Sequence, residues 1–163
     1  MNNAGIYEEG TVEAMPAKAW DEVFATNCKG VFLTTKYAWV LLKKASGTII
    51  NISSVAGMKS SEHSAAYACS KAALNMLTQV AAVEGAKDGI RVNCVAPGPV
   101  QTPMTEANFA SQEQIDSWVD DVTVLKRTGT PEEVANVVLF LASKEASYVT
   151  GAVYSVDGGF LAK

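Results

Sequence analysis

Apolar and polar positions alternate between a helical and an extended rhythm along this chain. From Pro16 to Lys44, Trp20, Val23, Phe24, Cys28, Val31, Phe32, Ala38, Val40, Leu41 and Leu42 recur at mostly helical spacing, and Pro16 suits a first turn, where its missing N–H costs nothing. The spacing predicts one long helix, kinked near Gly30. After Gly47, the run Thr48-Ile49-Ile50-Asn51-Ile52-Ser53-Ser54 is rich in β-branched residues and predicts a buried strand whose end delivers two serines. The alanine-rich stretch from Ser64 to Glu84 predicts a second helix, with Gly85 as its left-handed stop. Ile90 to Val95 predicts another strand. Pro97-Gly98-Pro99 then opens a loop, because this triplet can neither continue a ladder nor enter a helix directly.

Between Pro103 and Thr128 the chain is polar and weakly periodic, with Ile115, Trp118, Val119 and Leu125 as its few apolar anchors. It is expected to form a mobile helical flap. Thr130-Pro131-Glu132-Glu133 has the residues of a capping box, threonine at the cap and glutamate three later. Val134, Val137, Val138 and Leu141 continue that helix as an apolar stripe that needs a sheet to cover. Val153 to Val156 predicts a last strand before Asp157-Gly158-Gly159. Helices alternating with buried strands imply right-handed crossovers and a parallel sheet, an α/β fold. With no repeat and no linker, residues 1–163 read as one domain.

Composition supports a packed globule. The 163 residues are 48% hydrophobic and 18% charged, and a chain of this size buries roughly two-thirds of its unfolded surface. The net charge of −4 offers no positive field to gather phosphates, so nucleic acid is not an expected partner. Cys28, Cys69 and Cys94 are far apart, odd in number and without a CxxC pair. They signal neither a disulfide framework nor a metal site, and a reducing cytoplasm is the expected setting. The apolar stretch from Val31 to Leu42 is too short to span a bilayer and is interrupted by Lys36. The first residues lack the basic and apolar regions of a signal peptide. No membrane association is expected.

In parallel sheets ligands bind beyond the carboxyl ends of the strands, which gives weight to Ser54 and to the Pro97-Gly98 loop. Tyr67 and Lys71 are four apart on a predicted helix and share a face. An ammonium beside a phenol favours phenolate, which is expected to draw the tyrosine toward proton exchange near neutrality. Alone, the pair also fits an ordinary helix surface. Asn51 and Asn93 are expected to satisfy backbone groups. A serine hydrolase built on Ser54 and His63 is disfavoured, because no G-x-S-x-G elbow is present and His63 falls in a predicted loop.

The company that Tyr67 and Lys71 keep is more specific. Asn2-Asn3-Ala4-Gly5, Asn27, Asn51-Ile52-Ser53-Ser54, Tyr67-Ala68-Cys69-Ser70-Lys71, Pro97-Gly98-Pro99-Val100-Gln101-Thr102 and Val156-Asp157-Gly158-Gly159 follow in an order and spacing that resemble the short-chain dehydrogenase/reductase family. The surrounding pattern looks like its glucose dehydrogenase and 3-oxoacyl-carrier-protein reductase branch. The resemblance implies hydride transfer between NAD or NADP and a small alcohol or carbonyl substrate. It implies that Ser54 hydrogen-bonds the substrate oxygen, with Ser53 the weaker candidate, and that Tyr67 is the general acid or base. Lys71 is then the lysine that perturbs the phenol and holds the nicotinamide ribose, and Asn27 the asparagine that positions a water. Asn2, Ala4 and Gly5 correspond to a segment beside the adenosine, and Pro97, Gly98, Val100 and Thr102 to the loop that holds the carboxamide. A homo-oligomer is also implied.

The family's glycine-rich turn, T-G-x-x-x-G-x-G, has no counterpart in this sequence. The resemblance is therefore to the C-terminal part of a Rossmann-type doubly wound parallel sheet, with the first strands and helices missing, on the order of 80 to 90 residues. The residues that would choose between NAD and NADP fall in that part. Two readings follow: an oxidoreductase fold whose activity alone is in doubt, or a truncated, inactive remnant that serves only as an oligomerisation or interaction module.

Overall fold

The computed structural model describes residues 1–59 and 61–163. Its centre is a parallel sheet of β1 (Thr48–Ile52), β2 (Arg91–Pro97) and β3 (Val153–Val156), in the order β1-β2-β3. Thr48 pairs with Arg91 and Ile52 with Val95, while Cys94 pairs with Val153 and Pro97 with Val156. On the free edge of β1 the amino-terminal segment adds a single parallel bridge, Asn2 to Asn51, through Asn2 N to Ile50 O and Ile52 N to Asn2 O, both 2.9 Å.

The helices are α1 (Ala17–Phe24), α2 (Val31–Ala45), α3 (Ala65–Gly85), α4 (Pro103–Ala107), α5 (Gln112–Val122) and α6 (Pro131–Ala142). Strand alternation sends Ile49 and Ile50 to opposite faces of the sheet. On one face Ile49, Ile90 and Val92 pack with Ala81 and Ala82 of α3, flanked by Trp39 and Leu42 of α2. On the other, Ile50 and Val95 pack with Leu141 of α6 and Ala146. Helices thus cover both faces; because β1-β2-β3 follow in one direction while α3 and α6 lie on opposite faces, the two crossovers differ in hand, against the expectation that both are right-handed. Each fully buried aliphatic side chain in these layers contributes about 1.5–3 kcal/mol.

Several expectations are corrected. Gly85 is right-handed (φ −78), and the left-handed stop is Gly89 (φ 71), after a short 3-10 turn over Ala86–Asp88. Gly85 is needed for closeness instead: a Cβ there would lie 3.1 Å from Ile90 Cβ and 3.2 Å from its carbonyl oxygen. The long helix does not simply bend at Gly30. Between α1 and α2 the residues Ala25–Gly30 form a π-helical segment with Asn27 buried inside it. Leu125 is no anchor, being 60% exposed. Helix α5 ends at Val122, and the chain turns through Thr123 and the left-handed Lys126. Ile115 and Val119 are buried as expected.

Asn93 ties backbone together, donating to Val149 O (2.8 Å) and accepting from Ala152 N (3.1 Å). Asn51 instead bonds side chains, accepting from Asn2 Nδ2 (2.8 Å) and donating to Thr78 Oγ1 (2.9 Å). The expected capping box is present: Glu133 N donates to Thr130 Oγ1 and Thr130 N to Glu133. No helix among the described residues is long and apolar enough to cross a membrane.

Candidate active site

At the carboxyl ends of β1 and β2 two cavities meet. A cleft of about 480 Å³ is lined by Gly5, Tyr67, Lys71, Pro97, Gly98, Val100 and Thr102, together with Asn3, Ser53, Ser54 and neighbours from α4 and α6. A second recess, about 340 Å³, is lined by Ser54, Tyr67 and Gly98 and continues toward α4, α5 and the carboxyl-terminal tail. Ser54 and Tyr67 belong to both, so any ligand pair that fills the two spaces would meet at these side chains.

The local sequence explains the placement. Ser54 follows β1 and caps the 3-10 turn Val55–Gly57, its Oγ accepting from Ala56 N at 3.1 Å. That leaves the hydroxyl hydrogen free to donate. Ser53 Oγ is spent on Lys71 O at 3.1 Å. One turn apart on α3, Tyr67 and Lys71 are both turned toward the sheet. Lys71 is only 3% exposed and donates from Nζ to Ile52 O at 2.9 Å, with Nζ 5.5 Å from the Tyr67 ring centroid. An ammonium carries three donors, so others remain for a ligand.

The electrostatics differ from the expected phenol–ammonium coupling. Burial pushes the Tyr67 phenol up, the Ser54 side chain acts against this, and Tyr7 adds to it. Burial pushes Lys71 down to about 8, with Cys94 acting the other way. Desolvation of each charged form dominates. Tyr67 therefore holds its proton at neutral pH.

Asn27 is fully buried and lines neither cavity. Its Oδ1 accepts from Ile6 N (2.9 Å), and its Nδ2 donates to Ile6 O (2.9 Å) and to Ser70 Oγ (3.0 Å). It clamps the amino-terminal segment to α3. Gly5 is thereby held so close that a Cβ there would lie 3.3 Å from Lys71 Nζ. Asn2 and Ala4 do not line the cleft; the Asn2 side chain is spent on Asn51. Thr102 accepts from Thr105 N and caps α4. The Pro97–Thr102 loop is fixed by Gly98 N to Val156 O (3.0 Å) and by the pairing of Val100 with Gly129.

Sequence reasoning missed two of the recess walls, Tyr7 and Phe160. Tyr7 meets the Tyr67 ring edge-on at 5.3 Å. Phe160 reaches the recess because Gly158 and Gly159 take positive φ and Asp157 caps the turn through Gly159 N and Leu161 N. The Asp157-Gly158-Gly159 triplet was a usable signal for that turn, whereas nothing local marks Tyr7.

A nicotinamide dinucleotide fits this donor set at one end. Lys71 and Tyr67 offer donors beside an open cleft, and Gly5 leaves room where a side chain would crowd Lys71. For the diphosphate the sequence has no glycine-rich turn.

Known proteins agree with the geometry. A family model described as enoyl-(acyl carrier protein) reductase matches residues 1–161. The 3-oxoacyl-(acyl-carrier-protein) reductase FabG of Thermotoga maritima is 43% identical over 162 residues, covering 99% of this chain and 65% of the relative. Galactitol 2-dehydrogenase of Rhizobium johnstonii is 42% identical over 164 residues, covering 98% of this chain and 63% of its own length. The solved structure of ElxO with NADP bound superposes with a TM-score of 0.92 at 34% identity, covering 99% of this chain and 66% of that one. The chain thus spans slightly less than two-thirds of the proteins it matches. On the parallel sheet wrapped by helices, the Ser54, Tyr67 and Lys71 cluster and these matches over nearly its whole length, the chain belongs to the short-chain dehydrogenase/reductase family.

Proposed function

We propose that this cleft serves oxidoreduction between NAD or NADP and a small alcohol or carbonyl compound, with Tyr67 as general acid or base. The observation that carries the reading is that Ser54 and Tyr67 line both cavities while Lys71 lines the cleft. When bound, the nicotinamide supplies or accepts the hydride. The protein's own residues handle position and proton. Ser54, its oxygen already engaged by Ala56 N, donates to the substrate oxygen and stabilises charge there. Tyr67 holds a proton to give to that oxygen in the reductive direction and takes one back in oxidation. Lys71 and Tyr67 would hold the ribose, and Pro97, Gly98, Val100 and Thr102 the carboxamide. Asn2, Ala4 and Gly5 would flank the adenosine side. Asn27, its side chain engaged by Ile6 and Ser70, acts by clamping the Gly5 segment beside Lys71. The three free thiols suit a reducing cytoplasm.

The test supplies the region of the FabG relative that this chain does not match, fused ahead of Met1, and follows nicotinamide absorbance. Turnover is expected, and Tyr67→Phe should lower it by at least about 100-fold. Unchanged turnover refutes the role of Tyr67. The 163-residue chain alone should bind NADPH weakly, because it holds no diphosphate cradle.

A second reading, that the chain acts as a self-associating interaction module without turnover, is supported by bare apolar side chains on α2 and α3. Tyr37, Val40 and Leu41 are 74%, 63% and 68% exposed, and Val83 is 80% exposed. Such faces favour association. Light scattering decides it: a homo-oligomer is expected, and a monomer with a turning-over fusion removes this reading.

A further inference from the structure

We propose that the recess beside Ser54 and Tyr67 takes a secondary alcohol or ketone whose body is an apolar ring, and discriminates against polyols. The inference rests on the reading that those two side chains meet the substrate oxygen. Beyond them, ring and thioether surfaces make up much of the wall. Phe109 and Trp118 pack on each other at 5.1 Å with a 36° tilt, and Met104, Phe160 and Tyr7 complete the enclosure. At about 340 Å³ it lies at the small end of ligand cavities.

Several of the polar groups among these walls are already committed, although the Trp118 indole N–H and the Asn108 side-chain oxygen have no partner among the described residues. Thr105 Oγ1 donates to Val100 O at 2.7 Å, and Asn108 Nδ2 to Met104 O at 2.7 Å. Ser64 Oγ donates to Ser61 O at 2.7 Å, and Tyr7 Oη to His63 O at 3.3 Å. The two charged lining residues, Glu9 and Lys59, are exposed and face other partners. The Glu9 carboxylate lies 3.9 Å from His63 Nδ1, and Lys59 Nζ lies 5.5 Å from the Phe160 ring centroid. A polyol entering here would leave water and find most donors already used by backbone carbonyls, whereas an alicyclic or aromatic body loses no hydrogen bonds and gains ring contacts. A site that can answer few of a ligand's hydroxyl groups disfavours molecules that carry many.

The experiment titrates the 163-residue chain with β-tetralone and with galactitol, matched in size, and follows the Trp118 indole N–H resonance. Trp118→Phe assigns that resonance apart from Trp20 and Trp39. β-Tetralone is expected to move it saturably and galactitol to bind at least about tenfold more weakly; isothermal calorimetry, which does not need that resonance, should show Trp118→Ala weakening β-tetralone by about tenfold, since an aromatic wall is the main contact. Trp118 is only half-buried, so the truncation should fold; Phe109→Ala is the companion variant. Equal or tighter binding of galactitol overturns the proposal. So does β-tetralone affinity indifferent to both truncations, or no binding of either probe. Binding of β-tetralone without turnover in the fused protein would refute the reaction proposed above and leave this inference standing.

Discussion

Replacing Lys71 with methionine measures how much the fold gives up to keep an ammonium beside the cleft. The side chain is 3% exposed, and burial lowers its pKa from 10.5 to about 8. Below about pH 8 folded and unfolded chains both hold the proton, and the full cost of burying the charge is present. Between about 8 and 10.5 the unfolded chain keeps the proton and the folded chain releases it, so stability rises with pH. Above that window the cost is gone. At about 1.36 kcal/mol per pH unit, the gap amounts to about 3 kcal/mol. Cys94 titrates nearby with the opposite sign. Burial pushes it from 9.0 to about 11, so the unfolded chain loses its proton first and stability falls through that range. The comparison is therefore Cys94→Ala against Cys94→Ala with Lys71→Met, which shares every other titration. Urea unfolding from about pH 7 to about pH 11 should show the lysine-containing protein gaining about 3 kcal/mol relative to the methionine protein. Loss of the bond to Ile52 O shifts all points together and leaves the slope alone. A difference that stays flat within about 0.5 kcal/mol would refute the buried-charge reasoning.

Three further outcomes follow from contacts already described. Asn27→Ala strips partners from Ile6 N, Ile6 O and Ser70 Oγ and should cost about 3 kcal/mol, lowering Tm by roughly 6–12 °C in calorimetry; a drop under about 2 °C would mean that the amino-terminal segment is held by something else. Gly98→Ala places a Cβ 2.7 Å from Asp157 Cα, a backbone atom that cannot swing aside; it should destabilise by about 1–3 kcal/mol and speed hydrogen exchange at Gly98 N, and unchanged exchange would contradict the close approach. Thr130→Ala removes the cap of α6 and should cost about 1 kcal/mol in urea unfolding, with Thr130→Ser restoring most of it.

How much could be read in advance depended on how local the cause was. The capping box at Thr130, the strand at Val153–Val156 and the alanine-rich α3 are written in neighbouring residues, and they emerged within a residue or two of expectation. The motif serine, tyrosine and lysine come together at one cleft as the resemblance implied, the serine just beyond β1 and the other two one turn apart on α3. The stop of α3 was misread, because Gly85 is fixed by Ile90 and Trp39 across a turn. The phenol was misread because desolvation, a property of the assembled surroundings, outweighs a charge one helical turn away. Among the recess walls Tyr7 had no local mark: it and Phe160 come from opposite ends of the chain and meet only after the sheet has formed.

The π-helical segment at Ala25–Gly30 has an implication for how this region could vary. A π turn accommodates one residue more than an α turn, so the rod from Ala17 to Ala45 contains what amounts to a single-codon insertion. Deleting one residue there would let both flanking helices run on in unbroken α phase, a change the rod itself could absorb. It would also rotate Asn27 off Ile6 and Ser70, so the amino-terminal strap would be released while the helical content stayed the same.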